Sequence, residues 1–227
     1  MPQRCRALYQ YLRDKGYNQQ ELDASGLFKR SQSGRIYCLF WKRVMTPIFD
    51  LRGNIIAFGG RVMDDSKPKY VNSPETLVYH KSETVFAMQI AKRSASRRFV
   101  LCEGYMDVIS MQQAGIDTAV CACGTALTPG QVRIISEYAD EVILSYDSDE
   151  AARRRPWRSL ELFRNSPVKV GRFGRFPAPK DPDEYIKKYG PERFQALLDG
   201  VGNALDFRLK RCGISMISRR MRSGCNM

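Results

Sequence analysis

The second half of this 227-residue chain predicts an α/β fold built on a parallel sheet. From residue 98 onward, short apolar segments alternate with helical ones, which is the pattern of strands joined by crossover helices. The apolar segments are RFVLC, TAVCAC, EVILS and VKV, beginning at residues 98, 118, 141 and 168. Acidic residues follow the first, third and fourth segments, where the carboxyl ends of parallel strands form ligand sites.

The first half shows a different pattern, typical of a small α+β unit. Short helices are predicted within residues 1–30, with Asp23 and Ser25 as caps. Two strands, RVMTPIFD and IIAFGGRV, are predicted to pair through a turn at Gly53 and Asn54. Together these elements predict a small sheet preceded by helices.

The remaining segments define the domain organisation. Residues 64–76 are rich in turn formers and predict an ordered surface loop, whereas residues 83–95 have helical spacing and predict a helix. We therefore predict a basic N-terminal subdomain over residues 1–97. An α/β domain is predicted over residues 98–185, and a C-terminal helical segment over residues 186–227.

The composition excludes several classes of protein. Hydrophobic residues make up 43% and charged residues 27%, as in a soluble globular protein. No apolar run approaches the roughly 18 residues that span a bilayer, and the N-terminus has no apolar signal region. We therefore expect a cytoplasmic protein without a membrane partner.

The seven cysteines are an odd number and contain no CxxC pair. Three of them, Cys102, Cys121 and Cys123, lie in apolar, strand-like surroundings. We expect reduced, buried thiols and no zinc site within this chain.

The net charge of +13 is unevenly distributed along the chain. Residues 1–100 carry 18 Lys and Arg against 8 Asp and Glu, residues 101–149 carry 1 against 8, and residues 150–227 carry 18 against 8. Basic surface attracts polyanions, and clustered carboxylates hold divalent metals. This pattern indicates metal-dependent chemistry on nucleic acid or nucleotides, although a solvated surface that favours solubility explains the charge alone equally well.

Three pairs of acidic residues are candidates for a metal site. In the first pair the two residues are one helical turn apart, on one face of a helix that the glutamate opens. In the second they are two apart in an extended segment, and in the third they flank a proline. Close like charges repel one another, and bound Mg²⁺ or Mn²⁺ removes that cost. The pairs are Glu103 and Asp107, Asp147 and Asp149, and Asp181 and Asp183.

The segments EGYMDV, SYDSDEA and KDPDEYI match, in order, the acidic motifs of the Toprim domain. That domain occurs in primases, in type IA and type II topoisomerases and in several nucleases. Upstream, RVMTPIFDLRGNIIAFGGRV, KPKYVNSPET and HKS resemble the basic subdomain of bacterial (DnaG-type) primases, and CGTALT resembles a primase segment within the Toprim region. The resemblance covers roughly residues 1–210 and implies a Toprim parallel sheet with helices on both faces.

This resemblance implies synthesis of short RNA primers from ribonucleoside triphosphates on a single-stranded DNA template, with an RNA–DNA hybrid as product. The six carboxylates would hold Mg²⁺ or Mn²⁺, with Glu103, Asp147 and Asp149 catalytic and Glu103 alternatively a general acid or base. The basic subdomain would bind the nucleotide and the template. The residues that match those basic-subdomain positions are Arg43, Arg61, Lys69, Asn72, Ser73 and Lys81.

The sequence departs from the family pattern at several positions. Leu39 and Trp41 stand where the family usually has arginines, and Trp41 is equally compatible with base stacking and with a core position. Pro156 interrupts the helix after DSDEA unless that helix begins near the proline, which would bring the preceding arginines close to the acidic site. His80 is the single histidine, so multi-histidine metal sites are excluded and a structural or groove role is expected.

Two family modules, a Cys/His zinc ribbon and a bundle that docks the replicative helicase, are not found in the 227 residues. We therefore expect a fragment or a degenerate copy that primes weakly alone. The alternatives are another Toprim enzyme, such as a nuclease or topoisomerase fragment, and a nucleic-acid-binding module with a decayed active site. Metal-dependent incorporation of ribonucleotides distinguishes both from a primase.

Overall fold

A computed structural model of the protein describes residues 3–123, 126–145, 155–172 and 182–200. The helices in these ranges are Gln3–Asp14 (α1), Gln19–Ala24 (α2), Met88–Ala91 (α3), Tyr105–Gln113 (α4), Pro129–Tyr138 (α5), Arg155–Leu162 (α6), Pro182–Tyr189 (α7) and Pro191–Asp199 (α8). The strands are Phe28–Arg30 (β1), Ile36–Cys38 (β2), Arg43–Phe49 (β3), Ile55–Val62 (β4), Tyr70–Asn72 (β5), Arg98–Cys102 (β6), Ala119–Cys121 (β7), Glu141–Ser145 (β8) and Lys169–Arg172 (β9). Short 3₁₀ helices lie at Lys81–Glu83 and Phe163–Asn165.

The first two helices and the antiparallel β1–β2 pair form a small unit with its own apolar cluster. Of the two residues predicted as helix caps, Ser25 is one and Asp23 is not. Asn18 is the N-cap of α2, because its side chain accepts from the Glu21 amide and Glu21 accepts from the Asn18 amide in return. Asp23 lies inside α2, and Ser25 is its C-cap.

Cys5 and Cys38 form a disulfide that joins α1 to β2, with Cα atoms 5.5 Å apart. The expectation of reduced thiols is therefore wrong for this pair. The two cysteines are 33 residues apart, and only the packing of α1 against β2 brings them together. Cys102, Cys121 and Cys123 are buried thiols, as expected.

The second sheet contains β3, β4 and β5 in that order, all antiparallel. The predicted β3–β4 pair is confirmed, and the carboxylate of Asp50 stabilises its turn by accepting from the Arg52 and Asn54 amides. The segment 64–76 is not entirely a surface loop, because β5 lies inside it and pairs with β4.

The parallel sheet has the strand order β7–β6–β8–β9. Successive residues of β6 alternate between its faces: Val100 and Cys102 pack with α4, α7 and α8, and Phe99 and Leu101 pack with α5 and α6. The predicted parallel sheet with helices on both faces is confirmed.

The antiparallel sheet packs on the first of these faces, because Ile48 and Ala57 belong to the same buried cluster as Val100 and Cys102. The connection between the two sheets differs from its prediction. Within residues 83–95 the only α-helix is α3, and Phe86 instead forms a β-bridge with Cys121.

Two further positions concern the C-terminal part. The predicted boundary after residue 185 falls inside α7, and α8 contributes Phe194 and Leu198 to the cluster beneath the parallel sheet. The described part of helix α6 runs from Arg155 to Leu162 and includes Pro156, while the nine residues before Arg155 lie outside the described ranges. Among the described residues, no helix has both the length and the apolar character needed to cross a membrane.

Candidate active site at the carboxyl edge of the parallel sheet

Glu103 and Asp107 lie where β6 ends and α4 begins. Glu103 follows β6 directly and is half-buried, but it does not open the helix as predicted, because Gly104 is the N-cap of α4. Asp107 lies in the first turn of α4, where its Oδ2 accepts from the Gly104 amide at 3.2 Å. The helix N-terminus favours negative charge, so this backbone suits an ionised Asp107.

The strand pairing explains how further carboxylates would join Glu103. Cys102, which precedes Glu103, pairs with Ser145 at the end of β8, so the ends of these two strands lie side by side. Asp147 follows β8 by two residues, but Asp147, Asp149 and Asp181 lie outside the described residues. Within the described ranges, no group of three or more His, Cys, Asp or Glu side chains is placed to hold a metal ion.

Asp183 approaches the same region from α7. Its Oδ1 accepts a hydrogen bond from the Ser110 hydroxyl of α4, and its Oδ2 lies 2.7 Å from Nζ of Lys187. Burial by itself would raise the pKa of Asp183. The hydrogen bonds from Lys187 and Ser110, with the charges of Lys187 and Arg61, hold that pKa below its ordinary value.

Two residues of the antiparallel sheet, Arg61 and Tyr70, lie within electrostatic range of these carboxylates, and Lys69 immediately precedes β5. Arg61 pairs with Tyr70 across β4 and β5, and its guanidinium carbon lies 5.7 Å from the centre of the Tyr70 ring. Nζ of Lys69 lies 5.9 Å from the same ring. Burial raises the pKa of Tyr70, the Arg61 charge opposes that rise, and the charges of Asp107 and Asp183 add to it. Tyr70 therefore lies within electrostatic range of both carboxylates and of a cation.

Two glycines of β4 leave room for aromatic rings beside the strand. A Cβ on Gly59 would lie 2.8 Å from the Tyr105 ring at the start of α4, and one on Gly60 would lie 2.7 Å from the Phe40 ring. Glycine leaves room beside the backbone in which a ligand could also sit. The structure instead fills the space beside both with aromatic side chains.

Arg43, predicted to bind nucleotide or template, holds the loop that carries Lys69. Its guanidinium donates to the carbonyls of Gly60 and Lys69 at 3.2 Å each and to that of Pro68 at 2.7 Å. The charge of Arg43 is therefore directed at backbone oxygens.

Asn72 and Ser73 also make protein contacts. The Asn72 amide donates to the Cys123 carbonyl at 2.9 Å, which links β5 to the end of β7. Ser73 is buried, and its hydroxyl accepts from the Phe58 amide at 3.0 Å. Both residues hold the loop against its neighbours.

Lys81 is half-buried in a 3₁₀ helix that α5 supports. The Gln131 side chain is fully buried and donates to the carbonyls of Lys81 and Thr84 at 2.8 and 2.9 Å. Gln131, which supports Lys81, is not among the residues predicted from the sequence. The TALTPGQ segment contained a signal for it, because a Gln three residues after Thr128 completes a capping box at the start of α5.

The remaining predicted residues lie at the surface or near it. Trp41 is 40% exposed in the turn before β3, which excludes a core position for its ring. Leu39 is half-buried. His80 is exposed, with Nδ1 3.4 Å from a Glu75 carboxylate oxygen.

Two family models match the chain: the N-terminal domain of the DNA primase catalytic core over residues 1–92, and a Toprim-like model over residues 100–186. The crystal structure of the RNA polymerase domain of Mycobacterium tuberculosis primase DnaG is 30% identical, with a TM-score of 0.79. That match covers 94% of this chain and 72% of the other. The chain belongs to the DnaG-type primase family.

Other members of the primase family match as well. The DNA primase of Clostridium acetobutylicum is 38% identical over 207 residues, which cover 91% of this chain and 34% of that protein. A DnaG primase catalytic domain bound to single-stranded DNA is 34% identical with a TM-score of 0.79, over 88% of this chain and 65% of the other. The chain thus spans about a third of the length of the curated relatives that it matches.

Toprim domains typically bind a divalent metal, and the donor atoms of the described carboxylates suit one, although no three of them are grouped to hold it. Glu103, Asp107 and Asp183 provide only hard oxygen donors, which suit Mg²⁺ or Mn²⁺ and do not suit zinc. Asp183 accepts from Ser110, which lies three residues after Asp107 on α4, so these two carboxylates lie on the same side of that helix.

Proposed function

We propose that this chain is the primer-synthesising core of a DNA primase, which joins ribonucleotides from ribonucleoside triphosphates on a single-stranded DNA template. The carrying observation is that the cations Arg61 and Lys69 both lie beside the Tyr70 ring, which is also within electrostatic range of the carboxylates Asp107 and Asp183. Cations beside carboxylates suit a nucleic-acid backbone, which the cations bind, and metal-bound phosphates, which the carboxylates bind through the metal. The likeness to a primase domain bound to single-stranded DNA supports the template assignment.

In this proposal, Glu103, Asp147 and Asp149 hold divalent cations, and Asp107, Asp181 and Asp183 are further ligands or orient those ligands. Cations held there would supply activation of the primer 3′ hydroxyl and neutralisation of charge on the pyrophosphate leaving group. Glu103 is alternatively the group that accepts the proton of the 3′ hydroxyl. Glu103 directly follows β6, which pairs with β7 on one side and β8 on the other, and this fixed position suits either role.

The basic residues divide into two groups in the proposal. Arg61, Lys69 and Lys81 bind the triphosphate and the template backbone as cations. The other three hold the Lys69 loop in position through the contacts described above. These positioning residues are Arg43, Asn72 and Ser73.

The domain limits 1–97, 98–185 and 186–227 are part of the same proposal. So are the RNA–DNA hybrid as product and the replicative helicase as the partner of the longer family members.

Primer synthesis is the direct test. The protein is incubated with single-stranded DNA, four ribonucleotides (one of them labelled) and Mg²⁺ or Mn²⁺. Short labelled RNA is expected, and Glu103→Gln is expected to reduce it at least about 100-fold, whether Glu103 binds metal or moves a proton. Circular dichroism checks that the variant folds. Degradation of the DNA without nucleotides would instead indicate a nuclease.

Template binding provides a second test. Fluorescence anisotropy with a labelled single strand is measured over a range of salt concentrations. Lys69→Met is expected to weaken binding and to reduce the slope of log affinity against log salt by about 1, because one phosphate contact is lost. Lys188→Met, which removes an equal charge from α7, is expected to leave the slope unchanged. Equal slopes for the wild type and Lys69→Met would remove Lys69 from the template site.

A further inference from the structure

Both oxygens of Asp183 are engaged by neighbouring side chains. Ser110, on α4, donates its hydroxyl to Oδ1, and Lys187, one turn further along α7, places Nζ 2.7 Å from Oδ2. Ser110 lies three residues after Asp107, so both residues lie on the same side of α4. The Ser110 contact joins α4 to α7 at the edge of the acidic site.

The two contacts differ in strength and in freedom of movement. The Asp183 side chain is 22% exposed, whereas that of Lys187 is 72% exposed. Exposed ion pairs contribute little, because water screens them and the lysine stem loses conformational freedom in forming them. Lysine carries a compact charge on a flexible stem, so it leaves a carboxylate more easily than an arginine fork does. The Ser110 hydroxyl, in contrast, leaves further lone pairs of the carboxylate available.

We propose that Lys187 is an internal cation that competes with the divalent metal for Asp183. In the metal-free protein, Lys187 neutralises Asp183 and Ser110 keeps the carboxylate directed towards α4. Metal binding at the adjoining carboxylates displaces Lys187 into solvent, while Ser110 stays in contact. Lys187 thus sets the metal concentration at which the site fills. This inference rests on the proposed function, which assigns a divalent metal to this edge of the sheet.

The affinity for Mn²⁺ tests this competition without any need for activity. Free Mn²⁺ is measured by electron paramagnetic resonance during titration of the full chain. Lys187→Met is expected to bind Mn²⁺ about two- to five-fold more tightly, which is the range that one exposed ion pair supplies. The matched control is Lys188→Met, because Lys188 is the next residue on α7 and points its Nζ to the Tyr189 ring, 5.2 Å away. It removes the same net charge and is expected to leave the affinity unchanged.

A double-mutant cycle separates direct competition from a general field effect. In an Asp183→Asn background, Lys187→Met is expected to have no effect on Mn²⁺ affinity, because the carboxylate for which they compete has been removed. A gain that persists in that background would overturn the proposal. Equal gains for Lys187→Met and Lys188→Met would also overturn it, since they would report net charge alone.

The outcomes also distinguish this inference from the proposed function. The expected Mn²⁺ pattern without RNA synthesis would retain the competition and contradict the primase assignment. RNA synthesis by the wild type, with unchanged Mn²⁺ affinity in Lys187→Met, would support the primase assignment and overturn the competition. A wild-type protein that binds no Mn²⁺ at millimolar concentration would overturn both the competition and the metal assignment.

Discussion

The antiparallel β3–β5 sheet and the parallel β6–β9 sheet position their charged residues in different ways. In the antiparallel sheet, strand register places Arg61 opposite Tyr70, and Arg43 binds the Lys69 loop through three carbonyls. In the parallel sheet, the described carboxylates lie beyond the strands, at the start of α4 and on α7. In the first half, Arg61 is therefore held by strand pairing and Lys69 by a loop that Arg43 binds, whereas the carboxylates of the second half depend on helix starts and on exposed partners such as Lys187.

The cysteines show the same division and give the largest expected effect. The first half contains a disulfide that closes a separation of 33 residues, whereas the second half contains buried thiols. Reduction is expected to lower the free energy of unfolding by about 3–4 kcal/mol, because the unfolded chain regains the entropy of that loop. Urea denaturation with and without reductant measures this difference. Cys38→Ser should show no response to reductant, and a response of the same size in that variant would locate the redox effect elsewhere.

Arg43 tests whether rigid pairing in the first half depends on side-chain clamps. Arg43→Met keeps the aliphatic stem but loses the donors to three carbonyls. We expect a loss of about 1.5–3 kcal/mol in stability, the usual value for hydrogen bonds to a charged group. Chemical denaturation of Arg52→Met, which alters an exposed turn residue, provides the control. Equal stabilities for the two variants would mean that the strands hold the loop without Arg43.

Gln131 tests the support that the second half gives to a residue of the first. Gln131→Leu keeps the volume but leaves the carbonyls of Lys81 and Thr84 without this donor. A loss of about 1–3 kcal/mol is expected from unsatisfied buried acceptors. Thermal or urea unfolding measures it, and hydrogen exchange should increase at residues 81–84. Unchanged exchange there would show that Lys81 is positioned by its own segment.

Asp183 gives the smallest expected effect, which depends on pH. The Ser110 and Lys187 contacts hold the pKa of Asp183 below its ordinary value. They therefore stabilise the protein above the unfolded pKa of about 3.9, and that stability is lost as the pH falls through the lower folded pKa. Asp183→Asn should cost less than about 1 kcal/mol at pH 6 and still less at pH 3. Urea unfolding at both pH values tests this, with the exposed Asp65→Asn as control; a cost that increases at pH 3 would contradict the sign.

Much of the fold followed from local pattern. The alternation of apolar and helical segments after residue 98 predicted the parallel sheet, and the Gly53–Asn54 turn predicted the β3–β4 pair. The predicted secondary structure was wrong where pairing with a residue distant in the sequence determined the conformation. Residues 83–95 have helical spacing, yet Phe86 pairs with Cys121, and residues 70–72 join β4 although turn formers surround them.

The candidate site divides in the same way. The acidic motifs predicted Glu103, Asp107 and Asp183 as metal ligands. The comparisons place the chain in the primase family. The spacing of residues could not show that Arg43 is directed at carbonyls or that Ser73 is buried, because both facts depend on strands that meet only after folding. Those three carboxylates, together with Asp147, Asp149 and Asp181, remain predicted metal ligands.

The sequence by itself determined the strand–helix alternation, the order of the acidic motifs and the acidic region that lies between two basic ones. These features depend on residue type and on short spacing, which the sequence states directly. Only the tertiary structure decided the Cys5–Cys38 disulfide, the support of Lys81 by Gln131 and the engagement of Asp183 by Ser110 and Lys187. Except for the Asp183–Lys187 pair, each of these joins residues from separate elements, and the packing of apolar faces, which no single segment encodes, sets those distances.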